Sequence, residues 1–235
     1  MEIDELKTKL TGKTPVEQLE ILSRTFAGKI IFTTSFGLED QAITHMIFDN
    51  GIPVEVATLD TGRLFSQTYK VFNETFKKYN KEIHTFFPDN EAVEKMVTEK
   101  GPFSFYQSKE NRLECCSLRK VIPLTRALKG KECWISGIRA DQSENRQNLD
   151  WIEYDSNKKI FKFYPLFNWS FEEVQTFVKE NNIPYNILHD QGFVSIGCEP
   201  CTRAVKPGED FRSGRWWWEN GSEKECGLHI TKDKS

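Results

Sequence analysis

Two pairs of cysteines, far apart along the chain, constrain this sequence more than anything else in it. The first pair is adjacent, Cys115-Cys116, and runs into Ser117-Leu118-Arg119-Lys120; the second is Cys198-Glu199-Pro200-Cys201, spaced C-x-x-C. Four thiolates from two distant segments suit a tetrahedral metal or an iron–sulfur cluster. Adjacent helical residues diverge by about 100°, so Cys115 and Cys116 reach one centre together only if it is larger than a single ion. That favours a cluster with several iron corners over zinc. Arg119 follows Cys115, and Lys120 follows Cys116, at helical i, i+4 spacing, so both cations return to the thiolate face. There they would tune the potential of a negatively charged centre. The plain alternative is four unrelated buried thiols.

The chain has 235 residues, 38% hydrophobic and 29% charged, which fits one large α/β domain. The expected organisation is a single nucleotide-binding domain over 1–210 that carries the cysteine site, and a flexible tail over 211–235. A net charge of −3 argues against nonspecific binding of long nucleic acid, so no nucleic-acid partner is expected. Met1 to Leu10 alternates charges and has no apolar run of signal-peptide type, and no stretch reaches the length of a membrane span. A cytoplasmic location and no membrane partner are therefore expected. In that reducing setting C-x-x-C marks metal or redox chemistry and not structural disulfides.

Thr14-Pro15-Val16-Glu17 reads as a capping box with proline at the first helical position. Lys29 to Thr34 is a β-branched and aromatic strand, broken by Ser35-Phe36-Gly37-Leu38-Glu39-Asp40-Gln41, and helical spacing resumes over 42–48. A strand, a small-residue turn and a helix together make an anion site at a helix N-terminus. It is no Walker loop, because no Gly-Lys-Ser/Thr follows. A second strand over 53–59 ends in Asp60-Thr61-Gly62-Arg63, and a helix is expected over 64–79. A third strand over 82–87, a helix near 91–99, a helix over 110–127 and a buried strand over 133–138 continue the alternation. Such alternation implies a mainly parallel sheet with helices on both faces and ligands at the carboxyl ends of its strands. The segment Gly137 to Asn148 is dense in polar side chains and is expected as an exposed loop, in which Arg139 and Arg146 clamp an anion. A hairpin is expected over 151–164, and Ser170-Phe171-Glu172-Glu173 caps a further helix. From Asn181 the regular pattern fades, and metal ligation there can replace a core.

The tail reads Phe211-Arg212-Ser213-Gly214-Arg215-Trp216-Trp217-Trp218-Glu219, a polar stretch, then Glu225-Cys226-Gly227-Leu228-His229. The tryptophans read equally as a packing anchor. Cys226, near a cation in a nucleotide pocket, would be a nucleophile of lowered pKa, whereas Cys133 in its apolar strand is core.

These residues together resemble the assimilatory sulfonucleotide reductases, specifically adenosine 5′-phosphosulfate reductases of the bacterial cluster-containing type. The resemblance runs from about Thr33 to His229. It implies a Rossmann-like fold of the adenine nucleotide alpha hydrolase type with a mobile catalytic tail. Ser35, Phe36, Gly37, Glu39 and Asp40 fall in the family's modified pyrophosphate loop, and Leu59, Asp60, Thr61 and Gly62 in its second nucleotide loop. Gly137, Arg139 and Arg146 fall in its arginine loop. Cys115, Cys116, Cys198 and Cys201 match its [4Fe–4S] ligands, with Arg119 and Lys120 as the charged residues beside the cluster. Arg212, Arg215 and His229 match tail residues that meet the substrate, and Cys226 matches the catalytic cysteine. The implied reaction is reduction of adenosine 5′-phosphosulfate to sulfite and AMP through an S-sulfocysteine, with thioredoxin or glutaredoxin as reductant, in a homo-oligomer.

Three rivals are weighed against it. An ATP-dependent tRNA-thiolation enzyme wants a loop near Ser-Gly-Gly-x-Asp-Ser, from which Phe36 and Glu39 depart. A noncatalytic iron–sulfur scaffold leaves Cys226 to His229 unexplained. A reductase of 3′-phosphoadenosine 5′-phosphosulfate, or one of dual specificity, is nearest, but that class usually lacks the four-cysteine set.

Overall fold

The structure is a computed structural model that describes residues 2–219. In chain order it forms α1 (Ile3–Leu10), α2 (Pro15–Thr25), β1 (Ile30–Thr34), α3 (Leu38–Asp49), β2 (Glu55–Leu59), α4 (Ser66–Tyr79), β3 (His84–Phe86), α5 (Asn90–Lys100) and α6 (Lys109–Cys116). There follow α7 (Ile122–Ala127), β4 (Cys133–Ile135), the short α8 (Glu144–Gln147), β5 (Ile152–Asp155), β6 (Ile160–Phe163) and α9 (Phe171–Glu180). The chain packs as two compact units. Over the described residues the first is 2–58, Ser66–His84 and Gly130–Asp190, and the second is Leu59–Phe65, Thr85–Lys129 and 191–219.

The strands lie in the order β3-β2-β1-β4-β6-β5. β1 runs parallel to both β2 and β4, β4 runs parallel to β6, and the hairpin partner β5 runs antiparallel to β6. Every residue of β4 and β6 is buried, and β1 is buried at all but one position. Two covered faces produce this, and it is why β4 reads as a continuous apolar run, while the buried Lys162 of β6 is accommodated by its ion pair with Asp155 at 2.8 Å. The core of the first unit gathers Ile30 and Phe32 of β1, Ile135 of β4 and Phe163 of β6. Leu19 and Leu22 of α2, Ile43 and Ile47 of α3 and Val174 and Val178 of α9 pack with them.

Local chemistry fixes the helix starts. The Thr14 hydroxyl accepts from the Glu17 N–H while the Glu17 carboxylate accepts from the Thr14 N–H at 2.7 Å. Ser170 and Glu173 repeat this reciprocal arrangement at the head of α9. Each such cap is worth about 1 kcal/mol. The order of strands decides where a ligand can bind. The chain steps outward from β1 to β2 and β3, then returns to place β4 on the other side of β1. In open α/β sheets such a reversal of strand order is where ligands bind, at the strand carboxyl ends.

Ile135 is fully buried in that central pair of strands. Ile135→Ala should lower stability by about 2–5 kcal/mol, measured as a fall in the urea midpoint. An unchanged midpoint would contradict the packing.

Candidate functional site

In the first unit the site begins with the turn after β1. Phe36 sits in the left-handed region (φ 58°) although it carries a bulky side chain. Its ring is buried against Phe72 with 4.7 Å between centroids. Its N–H donates to the Thr34 hydroxyl at 3.0 Å. Backbone held this far from its preferred conformation needs such over-determination, and it clusters at functional sites. Ser35 is exposed at the tip. Its N–H and hydroxyl both donate to the same Asp40 oxygen at 2.6 Å, and the Gly137 N–H donates to this carboxylate from the loop after β4. A side chain on Gly137 would place its Cβ 2.3 Å from Asp40 Oδ1, so only glycine lets the two loops meet.

Burial, opposed by these hydrogen bonds, pushes the Asp40 carboxyl up to about 6. Glu39 accepts from Arg139 Nε and from Gln142 Nε2, both at 2.9 Å. Arg139 is 0% exposed, pairs also with Asp141, donates to the Trp169 carbonyl at 3.1 Å and lies over the Phe171 ring at 5.6 Å. Arg146 is buried too and donates to Gln142 Oε1. The exposed polar loop expected over 137–148 is thus corrected. The segment folds into a 3-10 turn, Ala140–Gln142, followed by α8. Its two arginines lie inside a network whose counter-charges are Asp141 of the same segment and Glu39, about a hundred residues away in sequence. One residue escaped the sequence reading. Ser136, at the carboxyl end of β4, is buried, and among the described residues its hydroxyl has no hydrogen-bond partner. A lone serine at a strand end carries no sequence signal.

In the second unit the expected helix over 110–127 is continuous but changes pitch. α6 ends at Cys116, a π-helical turn spans Ser117–Val121, and α7 resumes. Such π turns occur mainly at functional sites. Cys115, Cys116, Cys198 and Cys201 line one small cavity of about 20 Å³ together with Arg63, Arg112, Arg119 and Lys120. The i, i+4 relation of the sequence survives the change of pitch, since Arg119 lies beside the Cys115 thiol. Lys120 and Arg215 lie near Cys201, and Arg112 reaches Cys116. Burial raises the thiol of Cys115, and raises that of Cys201 to about 12. Among the described residues no group of three His, Cys, Asp or Glu is arranged for a single metal ion.

The Leu59 to Gly62 turn belongs to this same unit. Asp60 accepts from the Gly62 N–H at 2.8 Å, and Gly62 takes a left-handed φ of 69°. The Thr61 carbonyl accepts from Arg119 Nη1 at 2.7 Å, and its hydroxyl lies 3.3 Å from Cys198 Sγ. The segment 211–219 is built into the second unit. Trp216 is 1% exposed, and its backbone N–H donates to the Cys201 carbonyl at 3.2 Å. Arg112 and Arg215 each stand under 5 Å from its ring centroid and Arg212 at 6.0 Å. A Cβ at Gly197 would meet Arg215 Nη2 at 2.2 Å, so this glycine makes room for the guanidinium. Cys226 and His229 lie outside the described residues.

Two outcomes follow. Removing one partner of a buried ion pair strands the other, so Arg139→Ala should cost about 3–5 kcal/mol of stability, read by thermal or urea unfolding. A loss below about 1 kcal/mol would refute the burial argument. For Asp40 the folded state binds the proton more tightly than the unfolded chain does. Stability should therefore fall as pH rises from about 4 to about 6 and level off above. Asp40→Asn should remove that slope, which urea titrations across the window would detect.

A family model described as the phosphoadenosine phosphosulfate reductase domain matches residues 29–204. The chain is 46% identical to the adenosine 5′-phosphosulfate reductase of Agrobacterium fabrum, over 86% of this chain and 78% of that protein. It is 43% identical to the protein of that name from Allochromatium vinosum, over 90% of this chain and 83% of that one. Among solved structures, phosphoadenylyl-sulfate reductase from Candida auris, in a phosphate complex, superposes with a TM-score of 0.74 at 32% identity. That match covers 86% of this chain and 96% of the other. The sheet, the β1 and β4 loops and the matched span agree: the chain belongs to the phosphoadenosine phosphosulfate reductase family.

Proposed function

We propose that this chain reduces adenosine 5′-phosphosulfate to sulfite and AMP in sulfate assimilation, through an S-sulfocysteine on Cys226 that thioredoxin or glutaredoxin resolves. Relatives of that name at 43–47% identity support the reaction. The observation that carries the choice of substrate is the four-thiol cavity joined to the Leu59 to Gly62 turn through Thr61 and Arg119.

In this reading the nucleotide is held by the turn at Ser35, Phe36 and Gly37, by Gly137 and by the Leu59 to Gly62 turn. Glu39 and Asp40 hold the first loop in shape, and Arg139 and Arg146 set the field beneath it. Arg212, Arg215 and Lys120 face the sulfate, offsetting a charge that otherwise repels an incoming thiolate. His229 favours the Cys226 thiolate. That thiolate attacks the sulfonyl sulfur, the sulfur–oxygen bond to the phosphate breaks, and AMP leaves with the electron pair. A reductant thiolate then attacks Cys226 Sγ, sulfite leaves, and the second reductant thiol frees Cys226 from the mixed disulfide. The dithiol is oxidised to a disulfide by two electrons, which balances the sulfite released. Free cysteines among the described residues suit the cytoplasm, where we place the enzyme, as a homo-oligomer.

The donor set fits a [4Fe–4S] cluster on Cys115, Cys116, Cys198 and Cys201. Buried thiols with raised pKa become stable thiolates when iron shares their charge. Buried in the same unit, Arg119 Nε, Arg215 Nε and Trp216 Nε1 have no hydrogen-bond partner among the described residues, a supply of N–H donors, two of them cationic, for an anionic centre. When bound, the cluster supplies fixed charge and a one-electron reservoir. Anaerobically purified protein should carry about four irons per chain. One zinc without iron would sink this assignment.

A second reading, with the 3′-phosphorylated nucleotide as substrate, is favoured by the likeness to the Candida auris enzyme. Steady-state kinetics on both nucleotides separate the two: the proposal requires the higher kcat/KM on the unphosphorylated one. Labelled phosphosulfate, mixed with enzyme and no reductant, should leave one label on the Cys226 peptide. Cys226→Ser should keep its iron, bind nucleotide and release no sulfite. Label on Cys133 would refute the mechanism.

A further inference from the structure

The second unit carries a connected patch of aromatic rings that nothing in the nucleotide chemistry uses. Tyr106 and Trp218 meet edge-on at 4.4 Å between centroids, Phe105 lies 4.6 Å from Tyr106, and Phe103 lies 6.3 Å from it. Trp217 stands perpendicular to Trp218 at 5.7 Å. Phe105 is buried, but Phe103 is 58% exposed, Trp217 48% and Tyr106 40%. Single exposed apolar side chains are ordinary. Large aromatic rings grouped on one surface mark an interaction site, because tryptophan and tyrosine dominate interface energetics.

The patch is also held rigid. The Tyr106 hydroxyl donates to the Pro200 carbonyl at 2.6 Å, inside the C-x-x-C segment, and the Arg63 guanidinium lies over the Phe103 and Phe105 rings. Arg112 grips Glu219, the next residue after Trp218, with two bonds of 2.8 Å. A surface fixed before binding loses little conformational entropy on docking.

We infer that this aromatic patch is the docking surface for the protein dithiol that reduces the sulfo-enzyme. The inference rests on the reading that Cys226 carries the sulfo group, and it adds the place where the reductant sits. Chain length is the argument for this occupant. Glu219 is anchored beside the patch, and Cys226 follows it by seven residues. An extended chain spans at most about 3.5 Å per residue, so Cys226 stays within roughly 25 Å of Glu219 in any conformation. A protein dithiol that attacks Cys226 Sγ therefore has its body within one small-domain diameter of these rings. The same bond-making applies as above: the reductant thiolate bonds to Sγ, and sulfite departs with the electron pair.

The test uses the full-length enzyme and Phe103→Ala, Trp217→Ala and the double variant. Turnover is measured with a purified bacterial thioredoxin and separately with dithiothreitol, which needs no docking surface. Label on Cys226 is counted before any reductant is added. The expected result is an increase of about tenfold or more in the KM for thioredoxin in the double variant, with labelling and dithiothreitol turnover unchanged. An unchanged thioredoxin KM overturns the inference. Equal losses with both reductants also overturn it, by making the patch structural. A shift in oligomeric state on size exclusion assigns the rings to a second copy of the chain and overturns it as well. Absence of label from the wild-type enzyme defeats the underlying mechanism and the inference with it, and is distinguishable from all of these.

Discussion

A carboxylate and a guanidinium leave water together beside the central strands, and the meeting of the loops after β1 and β4 depends on that pair. Glu39 stands in the first turn of α3 and Arg139 follows β4. Either one alone at this depth would be ruinous, and the two together still carry a desolvation cost. The network repays it by leaving few valences idle. Gln142 donates to Glu39 while its carbonyl oxygen accepts from the Arg139 N–H and from Arg146. Asp40, next to Glu39, ties the same two loops through Ser35 and Gly137. The two loops are therefore held by groups that point inward, and the buried Ser136 hydroxyl next to Gly137 has no hydrogen-bond partner among the described residues.

Much of this was readable from the chain. The alternation of apolar runs with capped helices predicts a parallel sheet, and both capping boxes form as their spacing implies. The two cysteine pairs, expected to share one centre, line one cavity. The burial of Arg139 and Arg146 was not readable. Local composition reports only local polarity, and the buried counter-charge, Glu39, is supplied from a helix that folding alone brings near, beside the local Asp141. The π turn was hidden for a different reason. An extra residue in a helical turn leaves the run of side chains looking helical, and it shows only in the hydrogen-bond register. The three tryptophans divide where the sequence saw a block: Trp216 is interior, in a left-handed conformation with φ of 42°, while Trp217 faces solvent.

The second unit is organised on another principle. Its apolar cluster is small, gathering Met96, Phe105, Cys115, Cys201 and Trp216. Guanidinium groups replace part of the hydrocarbon that a larger core would supply. Arg112 and Arg215 lie against one indole, and the quadrupole of its ring accommodates cations that mutual repulsion would otherwise drive apart.

Thr61 gives this arrangement a wider meaning. Its hydroxyl lies against Cys198 and its carbonyl holds Arg119, so the turn and the thiols are one mechanical piece. A change at Cys198 or Arg119 would therefore be felt at the turn as well as at the thiols.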